Sequence, residues 1–274
     1  MTELTATRVR SPDGTEIGYW TSGNGRPLVL VHGGTADHSR WRPVLPLLEP
    51  HATVHAVDRR GRGASGDGAD YSLEHEFEDI AAVVDNLAEA TGGPVDLLGH
   101  SLGGLCCLGA APLASGLRRL VLYEPAGSSI EEPIPPGMID RLAAMLAEDR
   151  RDDLLVTFFR ELVGAPDSEL DVMRTLPAWQ GRIAAAHTIV RELRALESYR
   201  YDFARIAAVS VATLVLAGGD SPAGARQICD RIVDAVPNGR LVVMPGQQHV
   251  AIDTAPELFS RLVVEFLNEP EEFR

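Results

Sequence analysis

The chain is poor in the residues that mark several large classes of protein. Only three cysteines occur among 274 residues, at Cys106, Cys107 and Cys229. Their spacing matches neither a disulfide framework nor a cluster of metal ligands, and it indicates a reducing compartment. The glycine pair at 61 and 63 lacks the remainder of a dinucleotide-binding fingerprint. We therefore expect no metal and no cofactor.

Long apolar runs and an excess of positive charge are missing as well. Residues 1–8 contain no apolar stretch of the kind found in signal peptides, and no run approaches the length that spans a membrane. Lysine and arginine number 25 against 39 aspartates and glutamates, which gives a formal net charge of −14. This acidity argues against a nucleic-acid partner or an anionic membrane. A cytoplasmic protein is expected, and the pattern indicates no particular oligomeric state.

What the chain does contain is sufficient apolar material for a large core. Hydrophobic residues make up 45% of it, enough for one large domain or one domain with a small appendage. An antiparallel hairpin is predicted first, and further strand patterns then alternate with helical periodicity at 73–90, 102–114, 224–236 and 256–267. That alternation predicts an α/β fold with a mostly parallel, doubly wound sheet and a ligand site at the carboxyl edge of its strands. The predicted strands are 7–10, 16–20, 28–31, 53–57, 95–98, 119–123, 213–217 and 240–244.

The most informative segment is the pentapeptide 99–103, Gly-His-Ser-Leu-Gly. It follows the apolar run 94–98 and opens a stretch of small residues, so it joins a strand to a helix by a tight turn with Ser101 at its apex. A nucleophile elbow has this form, because the strained position of the serine requires residues without bulk two before and two after it. The helix that starts behind the serine directs its positive dipole end at developing negative charge.

Two further segments suit the same chemistry. The strand at 28–31 leads into the segment 32–35, His-Gly-Gly-Thr, where glycines let backbone N–H groups approach a substrate oxygen, as an oxyanion hole requires. The loop after the last strand carries His249, whose imidazole can act as a base and then as an acid. Two other histidines are predicted to be structural: His32 holds its own loop, and His100 packs away from Ser101.

With these segments the chain resembles the α/β-hydrolase superfamily. The resemblance rests on residues 32–34, on the turn 58–65 (Asp-Arg-Arg-Gly-Arg-Gly-Ala-Ser), on the elbow 99–103 and on the loop 246–249 (Gly-Gln-Gln-His). It extends over nearly the whole chain. Members such as haloalkane dehalogenases and epoxide hydrolases carry Asp at the elbow, so Ser101 implies serine-dependent chemistry instead. Ester, lactone or thioester hydrolysis, acyl transfer and hydrolysis of a carbon–carbon bond remain open.

The alternation of strands and helices breaks between residues 126 and 206, where only helical patterns occur. In the resembled superfamily such an insertion forms a cap over the active site. We therefore expect an α/β-hydrolase core at 1–125 and 207–274 and a helical cap at 126–206. Apolar cap residues either line the substrate pocket, which would favour a hydrophobic substrate, or merely pack the cap onto the core. The candidates for the pocket are Met138, Phe158, Phe159 and Trp179.

The acid that would orient His249 has two candidates. The superfamily commonly places it after the strand 213–217, where Asp220 stands one or two residues early. Certain haloalkane dehalogenases and the fungal zearalenone lactonases take their acid from the preceding strand, which here ends in Glu124. We favour Glu124 because a glutamate at a carboxyl strand edge can reach the last loop. Asp220, just before Ser-Pro, would otherwise serve as a turn initiator.

The resemblance and the motifs together imply a serine hydrolase for a small hydrophobic ester or lactone. Ser101 would attack, His249 would accept its proton, and Glu124 or Asp220 would stabilise the imidazolium. The backbone N–H groups of Leu102 and Gly34 would bind the oxyanion, with Thr35 as a further candidate. A different class remains open, in which the fold is repurposed as a biosynthetic cyclase or lyase, or as a small-molecule receptor.

Overall fold

One mixed sheet organises the chain. The structure is a computed structural model that describes residues 6–127, 134–165, 167–176 and 178–270. Within those ranges, eight strands pair in the order β1-β2-β4-β3-β5-β6-β7-β8. The pairs β1–β2 and β2–β4 are antiparallel, and all other neighbours are parallel. The strands are β1 (Thr7–Arg10), β2 (Glu16–Gly23), β3 (Arg26–Val31), β4 (Ala52–Val57), β5 (Val95–His100), β6 (Leu117–Tyr123), β7 (Ala212–Gly218) and β8 (Gly239–Met244).

Helices cover both faces of this sheet. One buried apolar cluster joins a face of the sheet to α2, α3, α9 and α10, and a second joins the opposite face to α1, α11 and α12. This arrangement confirms the predicted doubly wound α/β fold. The helices of the core are α1 (Leu45–Leu48), α2 (Leu73–Thr91), α3 (Leu102–Ala110), α9 (Phe203–Ile206), α10 (Ala223–Ala235), α11 (Ala251–Thr254) and α12 (Pro256–Leu267).

Local sequence signals explain the ends of the longest helix, α2. The Ser72 side chain accepts a hydrogen bond from the His75 N–H at 3.1 Å, which satisfies one of the free donors of the first turn. Gly92 ends the helix with a φ of 66°, a left-handed conformation in which glycine carries no steric penalty. Between these caps, one side of the helix packs into the first apolar cluster.

Within the described ranges six helices lie between β6 and β7, and the first five of them form an insertion with an apolar cluster of its own. The helical pattern of residues 183–196 in the sequence divides into two helices in the structure, with a break at Ala186. We refer to α4–α8 as the insertion. The boundaries predicted at 126 and 206 remain predictions, and residues 128–133 lie outside the described ranges. Its helices are α4 (Met138–Ala147), α5 (Arg151–Phe158), which continues as a π-helical turn over Phe159–Val163, α6 (Asp167–Thr175), α7 (Ala178–Ala185) and α8 (His187–Ser198).

Three further features of the structure concern its cysteines, its longest helices and its possible metal ligands. All three cysteines are buried free thiols, and burial raises the pKa of the Cys106 and Cys107 thiols. No helix in the described ranges has the length and apolarity needed to cross a membrane. Among those same residues, no three side chains of His, Cys, Asp or Glu are arranged to hold a metal ion.

Candidate active site

Ser101 stands at the carboxyl end of β5, immediately before α3. Its φ of 56° and ψ of −123° place it in a backbone region that side-chain-bearing residues rarely occupy. A Cβ atom on Gly99 would lie 2.4 Å from the Gly103 carbonyl oxygen, and one on Gly103 would lie 2.3 Å from the Val31 oxygen. Both flanking positions therefore require glycine, which is the steric condition of a nucleophile elbow.

His249 lies in the loop after β8, and two aromatic side chains of the core hold that loop. The Tyr123 hydroxyl donates a hydrogen bond to the Gln248 carbonyl and accepts one from the Ala251 N–H at 2.9 Å. His100 Nε2 donates to the His249 carbonyl at 3.0 Å, and the two imidazole rings lie 4.7 Å apart between centroids. His100 thus packs beneath the loop that carries His249, and burial lowers its pKa. Sequence reasoning missed Tyr123, because a tyrosine at a strand end carries no motif.

Glu124 connects the end of β6 to His249. Its Oε2 atom lies 2.7 Å from His249 Nδ1. The other oxygen, Oε1, accepts hydrogen bonds from the Gly218 N–H at 2.7 Å and from the Ser221 hydroxyl at 2.5 Å. The backbone of Glu124 has a φ of 40°, a left-handed value for a residue with a side chain. These contacts leave Nε2 as the nitrogen of His249 that can exchange a proton.

The hydrogen bonds around Glu124 keep its carboxylate ionised. Burial on its own raises the pKa of this carboxyl, since the side chain is only 1% exposed. The hydrogen bond and charge of His249, together with the donors Ser221 and Gly218, outweigh burial, so the net pKa lies below the ordinary value of 4.5. An ionised carboxylate on Nδ1 stabilises an imidazolium and fixes the ring in one tautomer.

Asp220, the alternative acid, occupies a different position. It is exposed, and its backbone N–H donates to the Gln247 carbonyl at 3.0 Å. Within the described ranges its carboxylate makes no ion pair with a histidine. Of the two candidate acids, the structure brings Glu124 alone to His249.

The segment 32–34 lies directly against Ser101. A Cβ atom on Gly33 would sit 2.9 Å from Ser101 Cβ and 3.5 Å from its Oγ. The Gly33 carbonyl accepts hydrogen bonds from His32 Nδ1 at 2.8 Å and from Arg59 Nη1 at 3.3 Å. In a trans peptide the next N–H, that of Gly34, points the opposite way. His32 and Arg59 therefore set the direction of the N–H predicted to bind an oxyanion.

Leu102 supplies the other predicted N–H. It is the first residue of α3, and the N–H groups of a helix's first turn have no acceptor within the helix.

His32 is fully buried and accepts the Arg59 N–H on Nε2 at 3.2 Å, so its ring bridges two backbone segments. Burial and the nearby Arg62 and Arg59 charges lower the pKa of His32. This neutral, bridging histidine has the structural role that the sequence predicted for it.

A buried ionic network joins this segment to the insertion. The Arg59 guanidinium donates to Glu76 on α2 at 2.5 Å and to Glu192 on α8 at 2.8 Å. Arg62 donates to the same Glu192 oxygen at 2.6 Å. Burial opposes the charge of Glu192, but the two guanidinium groups hold the pKa of its carboxyl below the ordinary range. The insertion is thereby fixed to the turn that orients the Gly33 carbonyl.

Thr35 contacts a cation that the sequence analysis did not single out. Its φ is 61° and its side chain is buried. The Thr35 Oγ1 atom accepts a hydrogen bond from Arg182 Nη1 at 2.5 Å, and the Arg182 guanidinium lies 5.2 Å from the centre of the Phe159 ring. Arg182 belongs to α7 of the insertion and to no motif, so only the packing of that helix reveals its position.

The four predicted pocket residues belong to the insertion's own apolar cluster. Met138, Phe159 and Trp179 are buried in it, and Phe158 packs against it in a half-buried position. The Trp179 indole donates to Asp152 at 2.7 Å. Of the four, Phe159 also contacts Arg182, whereas the lining role of the others remains a prediction.

Comparison with known proteins agrees with this fold. A model of the "Alpha/beta hydrolase family" matches residues 28–262. A crystal structure of an alpha/beta hydrolase from Sphaerobacter thermophilus is 38% identical, covers 96% of this chain and all of that one, and superposes with a TM-score of 0.82.

Two curated relatives are similar over most of their length. A 2-hydroxy-6-oxo-6-(2'-aminophenyl)hexa-2,4-dienoic acid hydrolase from Metapseudomonas resinovorans is 26% identical, over 93% of this chain and 88% of its own. A pimeloyl-[acyl-carrier protein] methyl ester esterase from Nitrosomonas europaea is 30% identical, over 87% of this chain and 94% of its own.

A mostly parallel sheet with helices on both faces and a strained turn between β5 and α3 is the arrangement of the α/β-hydrolase fold. The chain belongs to the alpha/beta hydrolase family. Both of the relatives named above are hydrolases, and hydrolase activity is what the family and those two relatives support.

Proposed function

We propose that the protein is a serine hydrolase that cleaves a carboxylic ester or lactone through an acyl-enzyme intermediate. The observation that carries this proposal is the 2.7 Å contact between Glu124 and His249 Nδ1 at the sheet edge where Ser101 stands in a strained turn. A serine hydroxyl is a weak nucleophile at neutral pH and needs a base to remove its proton. An imidazole whose Nδ1 is bound to an ionised carboxylate is such a base.

In the proposed reaction, His249 Nε2 takes the hydroxyl proton while Ser101 Oγ bonds to the substrate carbonyl carbon. The carbonyl oxygen becomes an oxyanion, and the backbone N–H groups of Gly34 and Leu102 stabilise it. His249 then gives its proton to the leaving alkoxide, and the bond from carbonyl carbon to that oxygen breaks. Water, deprotonated by His249, attacks the acyl-enzyme; Ser101 leaves and regains its proton, and the acid is released.

The insertion serves as a cap in this proposal. Its Glu192 binds Arg59, which donates to the Gly33 carbonyl, so the cap is connected by hydrogen bonds to the oxyanion-binding peptide. Its Arg182, which lies over the Phe159 ring, donates to the Thr35 hydroxyl. Closing a site in this manner excludes water and strengthens the electrostatic interactions inside it.

The proposal is tested with a fluorophosphonate probe, which reacts covalently with activated serines. We expect stoichiometric labelling of the wild-type protein at Ser101, located by mass spectrometry of peptides, and hydrolysis of a para-nitrophenyl ester. Ser101→Ala should lose both. Ser115→Ala is the matched serine control and should keep both, because Ser115 is exposed and precedes β6, at the sheet edge opposite to Ser101. A wild-type protein that is neither labelled nor active on esters and lactones would contradict the proposal.

Hydrolysis of a carbon–carbon bond is a second candidate. It is favoured by the similarity, over 93% of this chain, to a hydrolase named for a 6-oxo-hexa-2,4-dienoic acid. The same serine and histidine would serve, with a ketone in place of the ester carbonyl. Turnover of such a dienoic acid with a higher kcat/KM than that of para-nitrophenyl esters would select this candidate.

A further inference from the structure

Arg182 is a cation without an anionic partner beside the proposed oxyanion site. Its Nη1 donates to the Thr35 hydroxyl, and its guanidinium lies over the Phe159 ring. Among the residues that the structure describes, no carboxylate lies within 4.0 Å of it. A guanidinium has five N–H donors, so the single acceptor Thr35 leaves most of them for another group.

The other arginines near this site are paired. Three buried guanidinium groups follow β4 in sequence, and each lies within 3.0 Å of at least one carboxylate. This pairing is the usual condition for a charge that is removed from water. The pairs are Arg59 with Glu76 and Glu192, Arg60 with Asp79 and Asp13, and Arg62 with Glu192.

The two carboxylates whose charges act on Arg182, Asp253 and Asp37, make their closest contacts with other groups. Asp253 pairs with Arg40 at 2.8 Å, and Asp37 accepts the Ser39 N–H at 2.8 Å. Although Arg182 keeps some exposure, burial and then the Arg40 charge lower its pKa to about 10, and Asp37 and Asp253 offset only part of that effect. Arg182 is still a cation at neutral pH, in a place that disfavours cations.

The position of this cation relates it to the reacting carbonyl. Thr35 directly follows Gly34, and consecutive Cα atoms are about 3.8 Å apart. The adjoining Gly181 packs so close to the same loop that a Cβ atom on it would lie 2.8 Å from an Asp37 oxygen. Helix α7 therefore holds the Arg182 guanidinium within a few ångströms of the loop that carries the proposed oxyanion donor.

We propose that the substrate carries a carboxylate a few bonds from its scissile carbonyl and that Arg182 binds this carboxylate. The inference rests on the proposed hydrolase function and specifies its substrate class. A planar guanidinium binds a carboxylate through two parallel N–H donors, and Thr35 together with the Phe159 face fixes the plane of the fork. The substrate is then an ester or lactone with an apolar body and one anionic end, for example a half-ester of a short dicarboxylic acid.

Matched pairs of esters test this specificity. The anionic probes are the para-nitrophenyl monoesters of succinic and glutaric acid, and the neutral probes are the butyrate and valerate esters of the same chain lengths. We expect the wild type to favour the anionic ester in kcat/KM by about 10- to 100-fold, the value of a hydrogen bond to a charged group. Arg182→Met should remove this preference, so that the anionic and the neutral ester of each chain length have similar kcat/KM values. Arg182→Lys should restore part of it.

The matched control is Arg160→Met, which removes a cation from the same insertion. Arg160 is half-exposed and pairs with Asp167 at 2.6 Å. This variant should keep the full preference for anionic esters. A wild type that shows no preference, or an Arg182→Met variant that retains it, would overturn the inference.

Failure of the hydrolase proposal is recognised separately, by absence of Ser101 labelling and of turnover of the neutral esters. In that case the inference is tested by calorimetric titration with monomethyl glutarate. Binding to the wild type that is lost in Arg182→Met and kept in Arg160→Met would support it. Equal binding by wild type and Arg182→Met, or no binding by the wild type, would overturn it.

Thermal stability separates ligand binding from a structural role. An unpartnered cation in a binding site does not stabilise the free protein, so the Tm of Arg182→Met should equal or exceed that of the wild type. A Tm lowered by more than about 4 °C corresponds to a loss of roughly 1 kcal/mol or more in a chain of this size. Such a loss would mean that Arg182 stabilises the folded protein rather than binding a substrate. That result, with equal losses on anionic and neutral esters, would also overturn the inference.

Discussion

Among the described residues, two histidine–carboxylate pairs closer than 3 Å lie at the carboxyl edge of the same sheet, and only one of them is a candidate for catalysis. His249 Nδ1 lies 2.7 Å from Glu124, and His38 Nδ1 lies 2.8 Å from Asp58. Both carboxylates are almost completely buried, and both have a pKa below the ordinary range because hydrogen bonds, above all from their histidines, outweigh burial. Distance and ionisation alone therefore do not distinguish a catalytic pair from a structural one.

The order of the strands distinguishes them. Glu124 directly follows β6, the neighbour of the strand that precedes Ser101, and the Ser101 N–H donates to the Tyr123 carbonyl at 3.0 Å. Asp58 follows β4, and β3 lies between β4 and β5. Two strand spacings, about 10 Å, therefore separate the end of β4 from the end of β5, where Ser101 stands. A histidine–carboxylate pair becomes a candidate base only where the topology places a nucleophile beside it.

The partners of the two carboxylates differ accordingly. Asp58 accepts the backbone N–H groups of His38 and Ala64 and the Trp20 indole N–H, all at 2.8 to 2.9 Å, and so ties three segments together. The ring of His38 stacks on that of Trp20 with 4.5 Å between centroids. This pair stabilises the loop that follows the proposed oxyanion segment, and its imidazole is held by stacking rather than offered to a substrate.

The largest expected difference between the two regions comes from removing the nucleophile or its base. Ser101→Ala should lower kcat on a para-nitrophenyl ester by about 10⁵- to 10⁶-fold, since a covalent step is lost. His249→Ala should have a similar effect, and the double variant should add little because the two groups act as one unit. His38→Ala, the matched histidine control, should retain kcat within about tenfold. Steady-state kinetics on protein whose circular dichroism matches the wild type would decide, and comparable losses for both histidines would erase the distinction.

The orienting acid gives the next largest effect. Glu124→Gln should lower kcat by about 10⁴-fold, the cost of a wrong histidine tautomer in the serine-protease template. Asp220→Asn should change kcat little, because its exposed side chain contributes at most about 1 kcal/mol through its turn. The two variants are compared under identical conditions in an ester assay. A severe Asp220→Asn variant beside an active Glu124→Gln variant would move the acid to the loop after β7.

Ser101 and His249 could be proposed from sequence because local rules constrain them. The elbow requires glycine at 99 and 103, and a histidine after the last strand follows from the order of the motifs. The choice between Glu124 and Asp220 could not be derived in this way, because β6 and β7 are neighbours and both end at the same edge. Only the side-chain contacts of the folded chain separate a carboxylate aimed at His249 from one aimed at solvent.

The strands and the core helices were predictable for a related reason. Their apolar periodicity reflects burial against one continuous sheet, and the hydrophobic clusters of the two faces contain the predicted segments. The insertion was predictable only as helical. Its contacts with the core depend on single polar residues such as Glu192 and Arg182, whose partners lie more than a hundred residues away in sequence. No local pattern encodes such pairs.

Asp58→Asn tests whether the His38–Asp58 pair is structural. The amide places an N–H group among donors that now bind a carboxylate, so we expect the free energy of unfolding to fall by about 2–4 kcal/mol. The kcat of the folded protein should change far less than in Glu124→Gln, because no reacting group is removed. Urea unfolding followed by circular dichroism measures the first quantity, and ester hydrolysis below the unfolding transition measures the second. A variant of wild-type stability with a 10⁴-fold lower kcat would reverse the assignment of the two pairs.

The smallest effect concerns acid stability. The pKa of Asp58 is lowered from 3.8 to about 2: burial opposes ionisation, but the hydrogen bonds from His38 and Ala64 outweigh it. Because the folded protein binds this proton less tightly than the unfolded chain, Asp58 stabilises the fold above pH 4 and loses that contribution as the pH falls toward 2.

The shift corresponds to about 2 kcal/mol, so the stability difference between wild type and Asp58→Asn should shrink by that amount across the interval. Carboxylates common to both proteins, including Glu124, cancel in the difference. Urea midpoints measured from pH 5 to about 2 give this quantity. A difference that stays constant with pH would mean that Asp58 stabilises its loop by packing and hydrogen-bond geometry rather than by its charge.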